Sequence, residues 1–161
     1  MPIKERRHRL PKESYIGEMP VAFTLCTSKD KNAFVSPIII NSLVDILVLV
    51  VTKNNCIVPV YCFMPNHQHL IIMGTQNNSD IWKTVTSYKQ KTGFWLSKNA
   101  PDIRWQKDFY DHIIRKKEDL ASQVRYILNN PVRKGLVSSW EDYPFKSSIG
   151  CDIEEVFAGI I

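Results

Sequence analysis

The sequence predicts an α+β fold, a ferredoxin-like βαββαβ antiparallel sheet with a helix appended at its C-terminal end. Three observations carry this. Short runs rich in β-branched and aromatic residues alternate with longer stretches of helical apolar spacing, in the order β-α-β-β-α-β-α. Only Pro65-Asn66, a turn dipeptide, separates the second and third strand candidates, so these two pair antiparallel. No repeat, linker or low-complexity run divides the 161 residues, which read as one domain, 1–161, with a flexible basic arm over 1–14 and a tail over 151–161.

The first strand is "PVAFTLCT" (20–27), which alternates apolar and small polar residues. Ser36-Pro37 supplies a cap and a first-turn proline for a helix that runs to about Thr52 and stops at "KNN". "CIVPVYCFM" (56–64) is the second strand, and Pro59 marks it as an edge or a bulge, because proline donates nothing to a ladder. "HQHLIIM" (67–73) is the third. After the loop "GTQNNS", Ser79 caps a helix to about Lys98 that puts Ile81, Val85, Tyr88 and Thr92 on one side. "WQKDFYDHII" (105–114) is the fourth strand. "KKEDLASQVRYILNN" (116–130) is the appended helix, which Pro131 helps to end by pushing Asn130 out of the α region. "GLVSSWEDYPFKSS" reads as a loop with aromatic anchors, and the tail beyond Gly150 carries no clear pattern.

Composition is that of a soluble globular chain, 44% hydrophobic and 23% charged. The net charge of +5 suits an anionic partner such as nucleic acid without demanding one. Cys26, Cys56, Cys62 and Cys151 are scattered with no CxxC pair, which argues against a zinc knuckle or a thioredoxin motif and for reduced thiols. No signal peptide is visible. The most apolar stretch, 38–51, is interrupted by Asn41, Ser42 and Asp45 and is too short to span a bilayer, so the expectation is a soluble, cytoplasmic protein with no membrane partner.

"YCFMPNHQHLIIM" (61–73) carries the chemistry. On a strand, residues two apart face the same way, so His67 and His69 leave one face about 7 Å apart, within reach of a single ion, while Gln68 and Leu70 point to the other. The plain alternative is two hydrogen-bonded histidines on a half-exposed strand, and a metal pair needs at least one further ligand. A nucleotide hydrolase built on alternating strand histidines fits poorly, since the next position on that face is Ile71. On the appended helix, Gln123, Tyr126 and Asn130 fall within roughly 60° of arc beside an apolar stripe of Leu120, Val124, Ile127 and Leu128. Asn130 can offer an amide oxygen to a hard divalent ion, and Gln123 competes for that role. Alone, Tyr126 reads as a core-edge aromatic and Asn130 as a helix terminus. Beside two histidines, a tyrosine hydroxyl can attack phosphorus that a metal has polarised.

The sequence resembles the single-tyrosine HUH transposases, and within them the REP-associated tyrosine transposases. The resemblance lies in "YCFMPNHQHLIIM", "RYILNNPVRKGLV", "WQKDFYDHIIRKKEDL", "YPFKSS" and "FTLCT", and it spans residues 8–148. It departs at Gln68, which stands where the family has a bulky hydrophobic residue. Because residue 68 points away from the histidine face, altered packing with intact ligation is expected. The resemblance implies metal-dependent nicking and rejoining of single-stranded DNA near a hairpin, a REP-like palindrome. His67 and His69 would bind Mg²⁺ or Mn²⁺, with Asn130 at the third-ligand position. Tyr126 would be the nucleophile of a 5′-phosphotyrosine intermediate. The chain would act as a monomer or a homodimer.

Around such a site Lys83, Lys89, Lys91, Arg115, Lys116, Lys117, Arg125, Arg133 and Lys134 supply positive charge, with Arg125, Arg133 and Lys134 best placed in sequence to meet phosphate. Trp82, Trp95, Trp105, Phe109 and Tyr110 can stack on unpaired bases, although aromatics at this density usually fill the interior, and core packing is the favoured role for each. The arm "KERRHR" can grip a hairpin stem. No partner is evident for His8 or His112. Two other readings stand beside the enzyme: a ferredoxin-like module that recognises hairpin DNA or RNA without cutting it, and a metal-dependent phosphoesterase that uses water as its nucleophile.

Overall fold

The computed structural model describes residues 10–30, 32–116 and 118–161. Within them, strands β1 (Pro20–Cys26), β2 (Cys56–Met64), β3 (His67–Gly74), β4 (Tyr110–Ile113) and β5 (Lys146–Ile149) form one sheet in the order β4-β1-β3-β2-β5. Every neighbouring pair is antiparallel. The first four strands have the ferredoxin-like order expected, and β5 adds itself beside β2.

Alternation along each strand sorts the side chains into two layers. Val21, Phe23 and Leu25 of β1 and Leu70 and Ile72 of β3 point into the larger core, with α1 (Pro37–Lys53) and α2 (Ile81–Asn99) packed over them. The opposite face carries a smaller core in which Val60, Cys62, Met64 and Ile71 meet Val124, Ile127 and Leu128 of α3 (Leu120–Leu128). Pro59 sits at a bulge rather than an edge. The register of β2 slips there against both neighbours, so Val58 and Tyr61 face the larger core while Val60 and Cys62 face the smaller one. Gly74 ends β3 where a Cβ would lie 1.9 Å from the Gly17 carbonyl oxygen, so no other residue fits that close approach.

Several boundaries differ from expectation. Residues 12–14, read as loose arm, belong to a 3₁₀ turn, Lys12–Tyr15, because Tyr15 is buried and its hydroxyl bonds the Asp111 carboxylate. The remainder of the arm, residues 1–9 with His8, lies outside the described residues. Asp80, not Ser79, caps α2 by accepting from the Lys83 amide, while Ser79 donates to the Asn55 carbonyl. The fourth strand is shorter than the run 105–114, since Trp105 makes only an isolated bridge to Thr27.

The appended helix begins at Leu120, capped by Asp119, and ends at Leu128. Pro131 does not stop the chain there. It occupies the first turn of a further short helix, α4 (Asn130–Arg133), where a missing N–H costs nothing. The segment read as loop contains β5, and the tail folds into α5 (Ile153–Phe157), whose Val156 is buried in the smaller core. Among the described residues, no helix is long and apolar enough to cross a membrane.

Candidate active site

The two histidines stand at the start of β3, directly after the Pro65-Asn66 turn. That turn is pinned: the Asn66 carbonyl accepts from both the amide and the hydroxyl of Thr27, and the Pro65 carbonyl accepts from the Phe34 amide. His67 Nδ1 lies 2.7 Å from Asn66 Oδ1, and His69 Nδ1 lies 3.0 Å from Thr24 Oγ1 of β1. Each imidazole is thus held through one nitrogen, and the other two, the Nε2 atoms, converge to 3.1 Å. A carboxamide oxygen can only accept, so His67 Nδ1 carries the proton and its Nε2 presents a lone pair. This is the outer-shell arrangement by which proteins orient metal-binding histidines.

The electrostatics agree. Burial, then His67, then Arg133 push the pKa of His69 down to about 3, and burial followed by Lys134 lowers that of His67. Both rings are therefore neutral at physiological pH, as metal ligation requires. Among the described residues no three His, Cys, Asp or Glu side chains are grouped so that they could hold a metal ion. A third protein donor for a hard cation would therefore be a neutral oxygen, such as that of an amide. The donor set carries no formal charge, so it would hold such an ion weakly until a phosphate oxygen completed it.

Tyr126 projects from α3 with 63% of its surface exposed. The Arg133 guanidinium lies 4.0 Å above its ring and donates to its backbone carbonyl at 2.8 Å, so the helix α4 that follows Asn129 folds back to brace the phenol. Tyr126, Gln123 and His69, with Thr24, Tyr110 and His112, wall a cleft of about 170 Å³ between α3 and the sheet. The expected tyrosine and one of the expected histidines therefore share a surface. Gln123 lines the cleft, whereas Asn130 does not and is only 8% exposed.

The basic candidates divide. Arg133 and Lys134 place positive charge near the histidine pair and add to the effect of burial in lowering its pKa values. Arg115 and Lys116 are exposed between β4 and α3. Arg125 is held by the Phe157 carbonyl at 2.8 Å and by Asp119 at 3.5 Å. Lys117 lies outside the described residues. His112, for which the sequence offered no partner, pairs with Glu118 at 2.8 Å. Trp82, Trp95 and Trp105 pack against the larger core and Phe109 is buried in it, while Tyr110 remains open at the cleft. Gln68, on the reverse face, is fully buried and accepts from the Tyr88 hydroxyl at 2.6 Å. Thr24 was missed because its place opposite His69 depends on strand register, although alternation in "PVAFTLCT" already put it on the face away from Phe23 and Leu25.

Comparison with known proteins identifies the family and the fold. The family model described as IS200-like transposase matches residues 16–130, a span that includes both histidines, Tyr126 and Asn130. The chain belongs to the IS200-like transposase family. A REP-associated tyrosine transposase of Escherichia coli K12 is 33% identical over 87 residues, which are 52% of this chain and 49% of that protein. A Haemophilus influenzae protein provisionally given the same name is 31% identical over 97 residues, 53% of this chain and 55% of its own. The chain thus spans about half the length of the curated relatives it matches. The fold is also that of a REP-associated tyrosine transposase solved bound to a REP hairpin, with a TM-score of 0.70, 23% identity and coverage of 89% of this chain and 82% of that one.

Proposed function

We propose that this transposase-family chain cuts and rejoins single-stranded DNA beside a hairpin, with Tyr126 as its nucleophile and a divalent ion, Mg²⁺ or Mn²⁺, at His67 and His69. The observation that carries the reading is the shared cleft, which an exposed phenol on α3 lines together with His69, whose Nε2 converges on that of His67. Such an ion, completed by the amide of Gln123 or Asn130 and by the substrate, would offset charge on the scissile phosphate and on the departing oxygen.

The chain's own groups do the remainder. Tyr126 Oη attacks phosphorus, and the bond from phosphorus to O3′ of the preceding nucleotide breaks. That oxygen keeps the electron pair and takes a proton, and the phenol loses one. A 5′-phosphotyrosine ester and a free 3′-hydroxyl result. An incoming 3′-hydroxyl reverses the step and frees Tyr126, so rejoining needs no ATP. Arg133 rests on the Tyr126 ring and, with Lys134, is assigned to meet the phosphate. Arg115 and Lys116 are assigned phosphate contacts along the flank, and Arg125 a structural role at α5. Either a monomer or a homodimer accommodates this chemistry, because histidines and tyrosine lie in one chain.

The test is incubation with hairpin-bearing single-stranded oligonucleotides and Mn²⁺, read on a denaturing gel. The wild-type chain is expected to form a covalent adduct. Tyr126→Phe should form none while binding the hairpin with unchanged affinity. An adduct with the phenylalanine variant would show the nucleophile to be wrongly assigned. Cleavage without any adduct would favour an activated-water phosphoesterase, and binding without cleavage a recognition module.

A further inference from the structure

Tyr110 stands out among the aromatic residues near the cleft. Phe109, its neighbour, turns inward onto Phe23 and Trp82 at ring separations of 5.8 and 5.2 Å. Trp105 packs on Phe34 and bonds Thr92 through its indole nitrogen at 2.9 Å. Tyr110 instead faces the opposite side of the sheet and is 46% exposed. Its position follows from register. Tyr110 of β4 opposes Thr24 of β1, and Thr24 opposes His69 of β3. Directly opposed residues in antiparallel pairs share a face, so Tyr110, Thr24 and His69 stand in one row on the side that α3 covers. Two strand spacings, about 10 Å, separate the ring's strand from the histidine's. Tyr126 overlooks the same cleft, and His112, the next residue on that face of β4, is turned to Glu118.

We propose that Tyr110 is the stacking platform for an unpaired DNA base flanking the scissile phosphodiester. This rests on the single-strand cleavage reading and adds where the flank lies. A phosphate at the histidine pair leaves its neighbouring nucleotide over β1 and β4, where Thr24 and Ala22 are small and raise no obstacle. The tyrosine ring there offers a flat π-face whose hydration a base would displace, and such stacking tolerates any base. Gln123 in the cleft and Arg133 over the Tyr126 ring suit a polar, anionic strand rather than an apolar peptide. Tyr110 thereby becomes a positioning residue: it acts on the reaction by holding the flank in line with Tyr126.

The experiment uses the full chain carrying Tyr126→Phe, which prevents cleavage, and a hairpin oligonucleotide with oligothymidylate flanks in which single thymines are replaced by 5-iodouracil. Irradiation of the complex should attach one flank position to the peptide containing Tyr110. Tyr110→Ala should lose that crosslink and bind the flanked hairpin about tenfold more weakly. Its affinity for the same hairpin without flanks should not change, and Tyr110→Trp should restore flank binding. A Tyr110→Ala chain that binds the flanks within twofold of its parent, or a crosslink that maps elsewhere, overturns the platform. If the alanine variant melts early, the crosslink and the tryptophan variant decide. Failure of the parent to bind any flanked hairpin would overturn the cleavage reading itself. Hairpin binding by the parent with no flank contribution would overturn only the platform.

Discussion

The two faces of β3 receive the same strand and treat it in opposite ways. On one, Gln68, Leu70 and Ile72 lie under α1 and α2 with no exposed surface, and even the carboxamide of Gln68 has its oxygen bonded to Tyr88. On the other, Ile71 is covered by α3 but His67 and His69 are not fully covered, because a nine-residue helix cannot roof the whole sheet. A strand anchored on one side by a long helical layer can hold two imidazoles rigidly on the other without relying on those imidazoles for its own stability. The packed face supplies rigidity, and the open face carries the candidate site.

That division predicts the largest contrast between adjacent residues. Leu70→Ala should destabilise the chain by about 2–5 kcal/mol, since a fully buried leucine is replaced by a cavity. His69→Ala, one residue away, should leave the denaturation midpoint almost where it was and abolish Mn²⁺ binding. Urea titration and isothermal calorimetry on both variants check this. A strongly destabilised His69→Ala chain would show that the histidines are structural and that the faces do not divide as argued.

The buried polar pair gives the next effect. Tyr88→Phe removes the hydrogen bond donated to the Gln68 oxygen, and among the described residues Gln68 Nε2 is already without a partner. Leaving a buried carboxamide unsatisfied should cost about 2 kcal/mol. Adding Gln68→Leu to Tyr88→Phe should recover most of that loss, since replacing both partners by apolar groups is nearly neutral. A double variant no better than the single one would refute the pairing.

On the open face, Thr24→Val keeps the shape of the side chain but takes away the partner of His69 Nδ1. Freed to rotate, the ring should bind Mn²⁺ about tenfold more weakly, as outer-shell losses do, with little change in stability. Calorimetry against the wild-type chain reads the difference. Unchanged affinity would mean that the threonine does not orient the ring.

These contrasts also mark what the sequence could convey. Period-two alternation is a local property, so the strands β1 to β3, their faces and the projection of His67 and His69 were legible residue by residue. The order β4-β1-β3-β2 followed from the fold class. β5 was not legible, because "KSSI" is short, only half-buried and held mainly by its partner β2. Nor was the cleft fully legible. That Gln123 lines it while Asn130 does not depends on how α3 breaks at Asn129 and restarts with Pro131, and a helix drawn unbroken to 130 gives both the same standing. Thr24, Tyr110 and the His112–Glu118 pair join the site through strand register and tertiary contact, which no single stretch of sequence encodes.

The smallest expected effect is the most diagnostic, because it changes sign. Arg133 places a positive charge beside the histidine pair and over the Tyr126 ring. Without DNA that charge repels a cation at the imidazoles, and with DNA it attracts the phosphate. Arg133→Gln should therefore tighten Mn²⁺ binding to the free chain by about threefold, the size of an exposed charge interaction. The same variant should weaken hairpin binding and lower the salt dependence of that binding by about one phosphate contact. Stability should fall by less than about 1 kcal/mol as the ring loses its cation. A merely structural arginine would move neither equilibrium, and a metal-ligating neighbourhood that needed Arg133 for its shape would lose both. Only an arginine that stands between an ion site and a phosphate site moves the two in opposite directions, so calorimetry of one variant against two ligands tests whether the open face of β3 was built for both.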